Sequence, residues 1–71
     1  MTTEKTLPHQ QRVLDEKKAL DEKVKALIAF IDTSPVFETL DIAEQMRLRK
    51  QSEIMWEYSE VLGQRIAAFS A

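Results

Sequence analysis

The sequence predicts an all-α chain: a two-helix antiparallel hairpin with a short helical turn at the bend, assembling with copies of itself into a homo-oligomeric helical bundle. Three observations carry that prediction. Apolar residues recur at helical period in two long stretches, and a single Ser-Pro break separates them. The third is size: 71 residues are too few for a helical pair to bury a generous core alone.

Residues 1–7 are polar and are expected to be a disordered N-terminus ahead of a hairpin domain over 8–71. Pro8 suits the first position of a helix, where its missing N–H costs nothing. From there Val13, Leu20, Val24, Leu27 and Ile31 follow one another at spacings of seven, four, three and four, with Lys17 in the skipped position. That stripe predicts a first helix over 8–31.

The pattern breaks at Asp32-Thr33-Ser34-Pro35. Ser34 can cap, and Pro35 can begin a helical turn carrying Val36 and Phe37, so 32–40 is the bend. Asp41 followed three residues later by Glu44 has the spacing of a capping box and predicts a second helix over 41–69. With side chains stepping about 100° per residue, Leu48, Gln51, Met55, Tyr58, Leu62, Ile66 and Phe69 form one face of that helix. Ile54 and Val61 widen this face on one side; Ser52, Ser59, Gly63 and Ala67, with Trp56 among them, lie on the other. Such an arc is wider than one facing helix covers, which is the signal for an oligomer. The alternative is that Trp56 folds back over its own hairpin.

The first helix also holds a near repeat, Leu14-Asp-Glu-Lys-Lys-Ala and Leu20-Asp-Glu-Lys-Val-Lys-Ala, offset by six residues. Six steps place the copies on different faces, so this is not a heptad. Its charges read as solvated pairs, Asp21 with Lys25 for example, as does Arg49 with Glu53 in the second helix beside Arg47 and Lys50.

Composition excludes several functions. Cysteine is absent, and the one His has no ligand spacing around it, so neither disulfides nor a metal site is expected. Ten Lys and Arg against twelve Asp and Glu give a net charge of −2, which does not suit a duplex DNA binder. No apolar run approaches the roughly 20 residues of a membrane helix, and the first residues lack the apolar stretch of a signal peptide. The chain is therefore expected to be cytoplasmic. It contains no phosphate loop, no nucleophile beside a His and no inward carboxylate pair, so no enzyme and no cofactor are predicted.

One constellation points to binding. Counting about 1.5 Å per residue from the bend puts Arg12 and Arg65 at similar distances, near the open end of the hairpin, with His9 and Lys5 beside them. Unpaired N–H groups and the positive dipole end at the start of the first helix favour an anion there, and phosphate is the obvious candidate. Tyr58 offers an aromatic surface for a base. Against this, Arg65 equally suits the C-terminal dipole and Tyr58 equally suits core packing, as His9 suits a solvated helix start. Trp56, Gly63, Ser59, Met55, Leu62, Ile66 and Phe69 make up the expected oligomer or partner interface.

The segments 9–17 (HQQRVLDEK), 27–31 (LIAFI), 34–37 (SPVF) and 55–69 (MWEYSEVLGQRIAAF) resemble a family of small phage and prophage proteins labelled as related to a crAss-like phage protein of unknown function. That resemblance implies a phage origin, hence a bacterial host cell, and a helical hairpin, but no activity. The chain is more loosely similar to the helical-hairpin proteins with which phages inhibit CBASS and Thoeris immunity. Those assemble into oligomers and sequester cyclic nucleotide or ADP-ribose-derived signals, and they share a Met/aromatic pattern and an Arg-Ile-Ala-like end, here Arg65-Ile66-Ala67. The expected partners are further copies of the chain, from the wide arc, a small signalling nucleotide at the Arg12 and Arg65 end, as the looser similarity also implies, and, as the alternative, a host or phage protein docked on the Trp56 and Gly63 face.

Overall fold

A computed structural model describes residues 6–70; the expectations for residues 1–5, Lys5 included, lie outside it, as does Ala71. The chain is all-α. Helix α1 spans Pro8–Thr33, a five-residue α2 spans Pro35–Thr39, α3 spans Ile42–Ala67, and a 3₁₀ turn, Ala68–Ser70, ends the described chain.

Each boundary has a local cause. Pro8 sits at the start of α1, and the Gln10 side chain reaches back to accept from the Leu7 N–H at 3.1 Å. Ser34 closes α1 by donating its N–H to the Phe30 carbonyl, then opens α2 by accepting from the Val36 N–H at its hydroxyl. Asp41 caps α3 through the Glu44 N–H at 2.8 Å. The expected capping box is only half made, because the Glu44 carboxylate turns instead to Arg47 Nε at 2.8 Å.

Helices α1 and α3 pack along their length as an antiparallel pair. Their core is small: Val13, Leu20, Val24 and Leu62, with Met55, Ile66 and Phe69 packed against it. Phe37 of α2 is buried separately at the bend, edge-on to Phe30 with ring centroids 6.0 Å apart. Arg49 lies over the Phe37 ring, its guanidinium carbon 5.2 Å from the centroid. The expected Arg49–Glu53 pair is therefore not formed; among the described residues Glu53 pairs with Lys50, at 3.9 Å. Cation–π contact with a buried ring competes well against an exposed ion pair, since the latter is screened by water.

Within α3, the side turned to α1 carries Ser52, Met55, Ser59, Leu62, Ile66 and Phe69, each partly or fully buried. Gln51 and Tyr58, which the apolar count put on this face, are exposed. The seam is rotated toward the small residues because a serine at position 59 can meet Lys17 of α1, whereas a tyrosine there would hold the helices apart.

The result is long and thin. Its extents are 52 × 21 × 15 Å and its radius of gyration is 16.2 Å, where a compact chain of this length has about 11 Å. Two helices side by side bury one stripe each, and the other faces remain open.

Candidate functional site

Antiparallel packing divides the hairpin into two flanks. A residue one position before a packed residue turns by about 100° to one flank, and a residue one position after it turns to the other. Because the helix axes oppose, "before" means the same flank on both helices.

Arg12 precedes the buried Val13, Tyr58 precedes Ser59, and Arg65 precedes Ile66, so these three share a flank. Lys17 lies opposite Ser59 and Gly63; running outward from there brings Arg12 and Arg65 to one level near the open end. His9 is one turn before Val13, exposed at the start of α1. Arg12 and Arg65 are exposed, with no ion pair or hydrogen bond to a side chain among the described residues. Arg65 occupies the last turn of α3, where its charge also favours the helix dipole. Tyr58 is 43% exposed, with Ile54 and Val61 beside it along α3.

Trp56, Gly63, Glu60, Asp21 and Lys25 each follow a packed residue and occupy the opposite flank. Together with Lys17, Val24, Ile28 and Ser59 they line a groove of about 360 Å³. Trp56 does not fold back to fill it and stays 57% exposed.

Among the other expected interface residues, Leu62 is completely buried inside the hairpin and Ser59 nearly so; Met55, Ile66 and Phe69 pack against the core. Trp56 is exposed and Gly63 half-buried on this flank. A Cβ at Gly63 would touch only Lys17 Cε, at an ordinary 3.6 Å, so the hairpin itself does not require glycine there.

A polar network, absent from the sequence reading, forms the groove wall. Lys17 Nζ donates to Ser59 Oγ at 2.8 Å and to Asp21 Oδ2 at 3.0 Å, and Ser59 Oγ donates to Asp21 Oδ1. The Ser59 hydrogen bond and then Lys17 hold the Asp21 carboxyl below its ordinary value, against a smaller opposing effect of burial. Asp21 thus pairs with Lys17 rather than with Lys25, as the sequence spacing had suggested. The signal was present: Lys17 interrupts an apolar stripe on one helix and Ser59 interrupts the facing stripe on the other. Polar residues placed on two packed seams must satisfy each other.

Among the described residues no cluster of His, Asp or Glu could hold a metal, and no helix is long and apolar enough to cross a membrane.

Comparison with curated proteins and with solved structures returns no match. A family model described as Sequestin does match, over residues 7–68, which takes in both long helices, the bend and every candidate residue except Lys5 and Phe69. The chain belongs to the Sequestin family.

Proposed function

We propose that this protein is a non-catalytic, phage-encoded anti-defence protein. Copies assemble in the cytoplasm of the bacterial host and hold a phosphate-bearing immune signal, a cyclic oligonucleotide or an ADP-ribose derivative, between protomers. The family's name denotes sequestration, and the similarity to phage sponge proteins runs the same way. The observation that carries the reading is the shared flank of Arg12, Arg65 and Tyr58, with both guanidiniums free of carboxylate partners among the described residues. In this reading the arginines take phosphates, Tyr58 stacks on a base and His9 lines the entrance. Replacing Arg12 and Arg65 together by alanine tests it: affinity for the signal should fall while the helical content stays, and unchanged affinity in the folded variant would sink the placement.

A second reading uses the opposite flank. An exposed Trp56 beside a groove that ends at Gly63 is suited to anchoring a host or phage protein, which this chain would then inhibit or scaffold. It predicts that Trp56→Ala weakens a protein complex and that no nucleotide binds.

A further inference from the structure

The Trp56 flank is a trough rather than a single hollow. The groove at Trp56, Glu60 and Gly63 has Ile28 in its wall, and so does a second depression of about 200 Å³ that runs on to Asp32, Arg49 and Glu53 at the bend. From Gly63 back to Arg49, α3 runs for about 20 Å at 1.5 Å per residue. Along it Trp56 is 57% exposed and Ile28 40%. A trough of that length between two antiparallel helices has the shape of a third helix, which would complete the core that two helices leave open. Gly63 points the same way. It lies inside α3, where glycine costs about 1 kcal/mol against alanine, its backbone is outside the left-handed region, and a Cβ there would meet only Lys17 Cε. Neither its own conformation nor α1 calls for glycine, and its bare backbone leaves room for another to come close.

Charge says what kind of helix. Between Lys50 and Arg65 the charged residues of α3 are Glu53, Glu57 and Glu60 alone. Steps of four and three bring them onto one stripe, and Trp56 lies between that stripe and the seam with α1. Glu53 meets Lys50 across 3.9 Å at an exposed site, and Glu57 and Glu60 have no ion pair or side-chain hydrogen bond among the described residues. The α1 side mixes its signs: Lys18 and Lys25 alternate with Asp21 and Glu22, and Lys17 is held by Asp21 and Ser59. Arg49, at the bend end, is stacked on Phe37. A cationic group lying along α3 therefore meets carboxylates, and the exposed indole offers it a π face. The same stripe repels a nucleotide, and a two-fold copy pairing α3 with α3 here would set carboxylate against carboxylate.

We propose that this flank docks a basic amphipathic helix of another protein. Its apolar face lies on Trp56 and Ile28, its backbone comes closest at Gly63, and its arginine or lysine side chains meet Glu53, Glu57 and Glu60. The inference rests on the second reading, in which Trp56 anchors a protein, and names the chemistry of that partner. It is independent of what the arginine flank holds.

Trp56 is the single tryptophan of the chain, so its fluorescence reports this flank directly. The probe is a helical peptide of about 20 residues without Trp or Tyr, with leucine along one face and arginine along the edge that would meet α3; its twin carries glutamate at the arginine positions. The proposal expects the arginine peptide to shift Trp56 emission saturably to the blue, with a Kd at least about tenfold below the twin's at low salt. The triple variant Glu53→Lys, Glu57→Lys, Glu60→Lys, confirmed helical by circular dichroism, should reverse that preference. An arginine peptide that leaves the emission unchanged would overturn the docking of a helix. Peptides bound equally well, or a preference that survives the charge reversal, would overturn the basic partner. Emission that moves to the blue with protein concentration alone, alongside a rising mass in light scattering, would give the flank to a second copy and overturn the proposal too. A host or phage complex weakened by Trp56→Ala, with the two peptides bound alike, would remove this inference and leave the second reading standing. A complex indifferent to Trp56→Ala would remove both.

Discussion

Lys17 of α1 reaches across the hairpin to Ser59 of α3 at 2.8 Å, and this bond between residues 42 positions apart fixes the register of the two helices. The core it joins is small and made of aliphatic side chains, which tolerate sliding by a turn better than hydrogen bonds do. The polar contact specifies one alignment. Arg12 and Arg65 reach the same level only in that alignment.

Ser59→Ala should therefore cost about 1 kcal/mol, because Lys17 and Asp21 keep each other but lose their shared bridge. Chemical denaturation followed by circular dichroism measures it. A variant as stable as the parent would mean that water replaces the hydroxyl without penalty.

Acid should weaken the fold through Asp21. Its carboxyl is held below the ordinary value in the folded chain by Ser59 and Lys17. The stabilisation is therefore fully present above the unfolded value of about 4 and is lost as pH falls through the folded value. The melting temperature of the parent should drop more steeply below about pH 4 than that of Asp21→Asn, which cannot titrate there. Parallel curves for the two proteins would count against the network.

Leu62→Ala removes a side chain with no exposure at all and should cost about 2–5 kcal/mol, enough to unfold so small a hairpin. Val61→Ala, one residue away and 50% exposed, should change the stability of the isolated chain by under about 0.5 kcal/mol. Thermal melts at low protein concentration separate the two.

Gly63→Ala is expected to stabilise the isolated hairpin by about 0.5–1 kcal/mol, since alanine is the better helix former and its Cβ meets only Lys17 Cε. If the Trp56 flank anchors a partner protein at close approach, the same change should weaken that complex. Thermal melts and pull-down affinity on one preparation would show the opposed effects.

Much of this architecture is legible in the chain because its punctuation is local. Pro8, Ser34-Pro35 and Asp41 each act through their own backbone neighbours, so the helix ends are written within a few residues. The rotation of α3 was not legible from an apolar count, which favours Tyr58 and Gln51 because they are large. Contact with α1 instead favours Ser52 and Ser59 because they are small and one of them meets a lysine. Arg49 was misassigned for a similar reason. Helical spacing offers it Glu53, but its actual partner, Phe37, is brought beside it only by the fold of the bend. At the candidate site, periodicity and helix length alone put Arg12 and Arg65 at the open end. Their common flank follows from which residues pack, and that depends on both helices at once.

The central claim is that copies of this chain hold a phosphate-bearing nucleotide at Arg12, Arg65 and Tyr58. It is tested most directly by a thermal-shift screen against cyclic di- and trinucleotides and ADP-ribose derivatives, with mass measured by light scattering on the same sample. The account predicts saturable stabilisation by one ligand class, an assembled mass, and loss of the shift when both arginines become alanine. A chain that no nucleotide stabilises at any concentration would contradict it and turn attention to Trp56 and a protein partner.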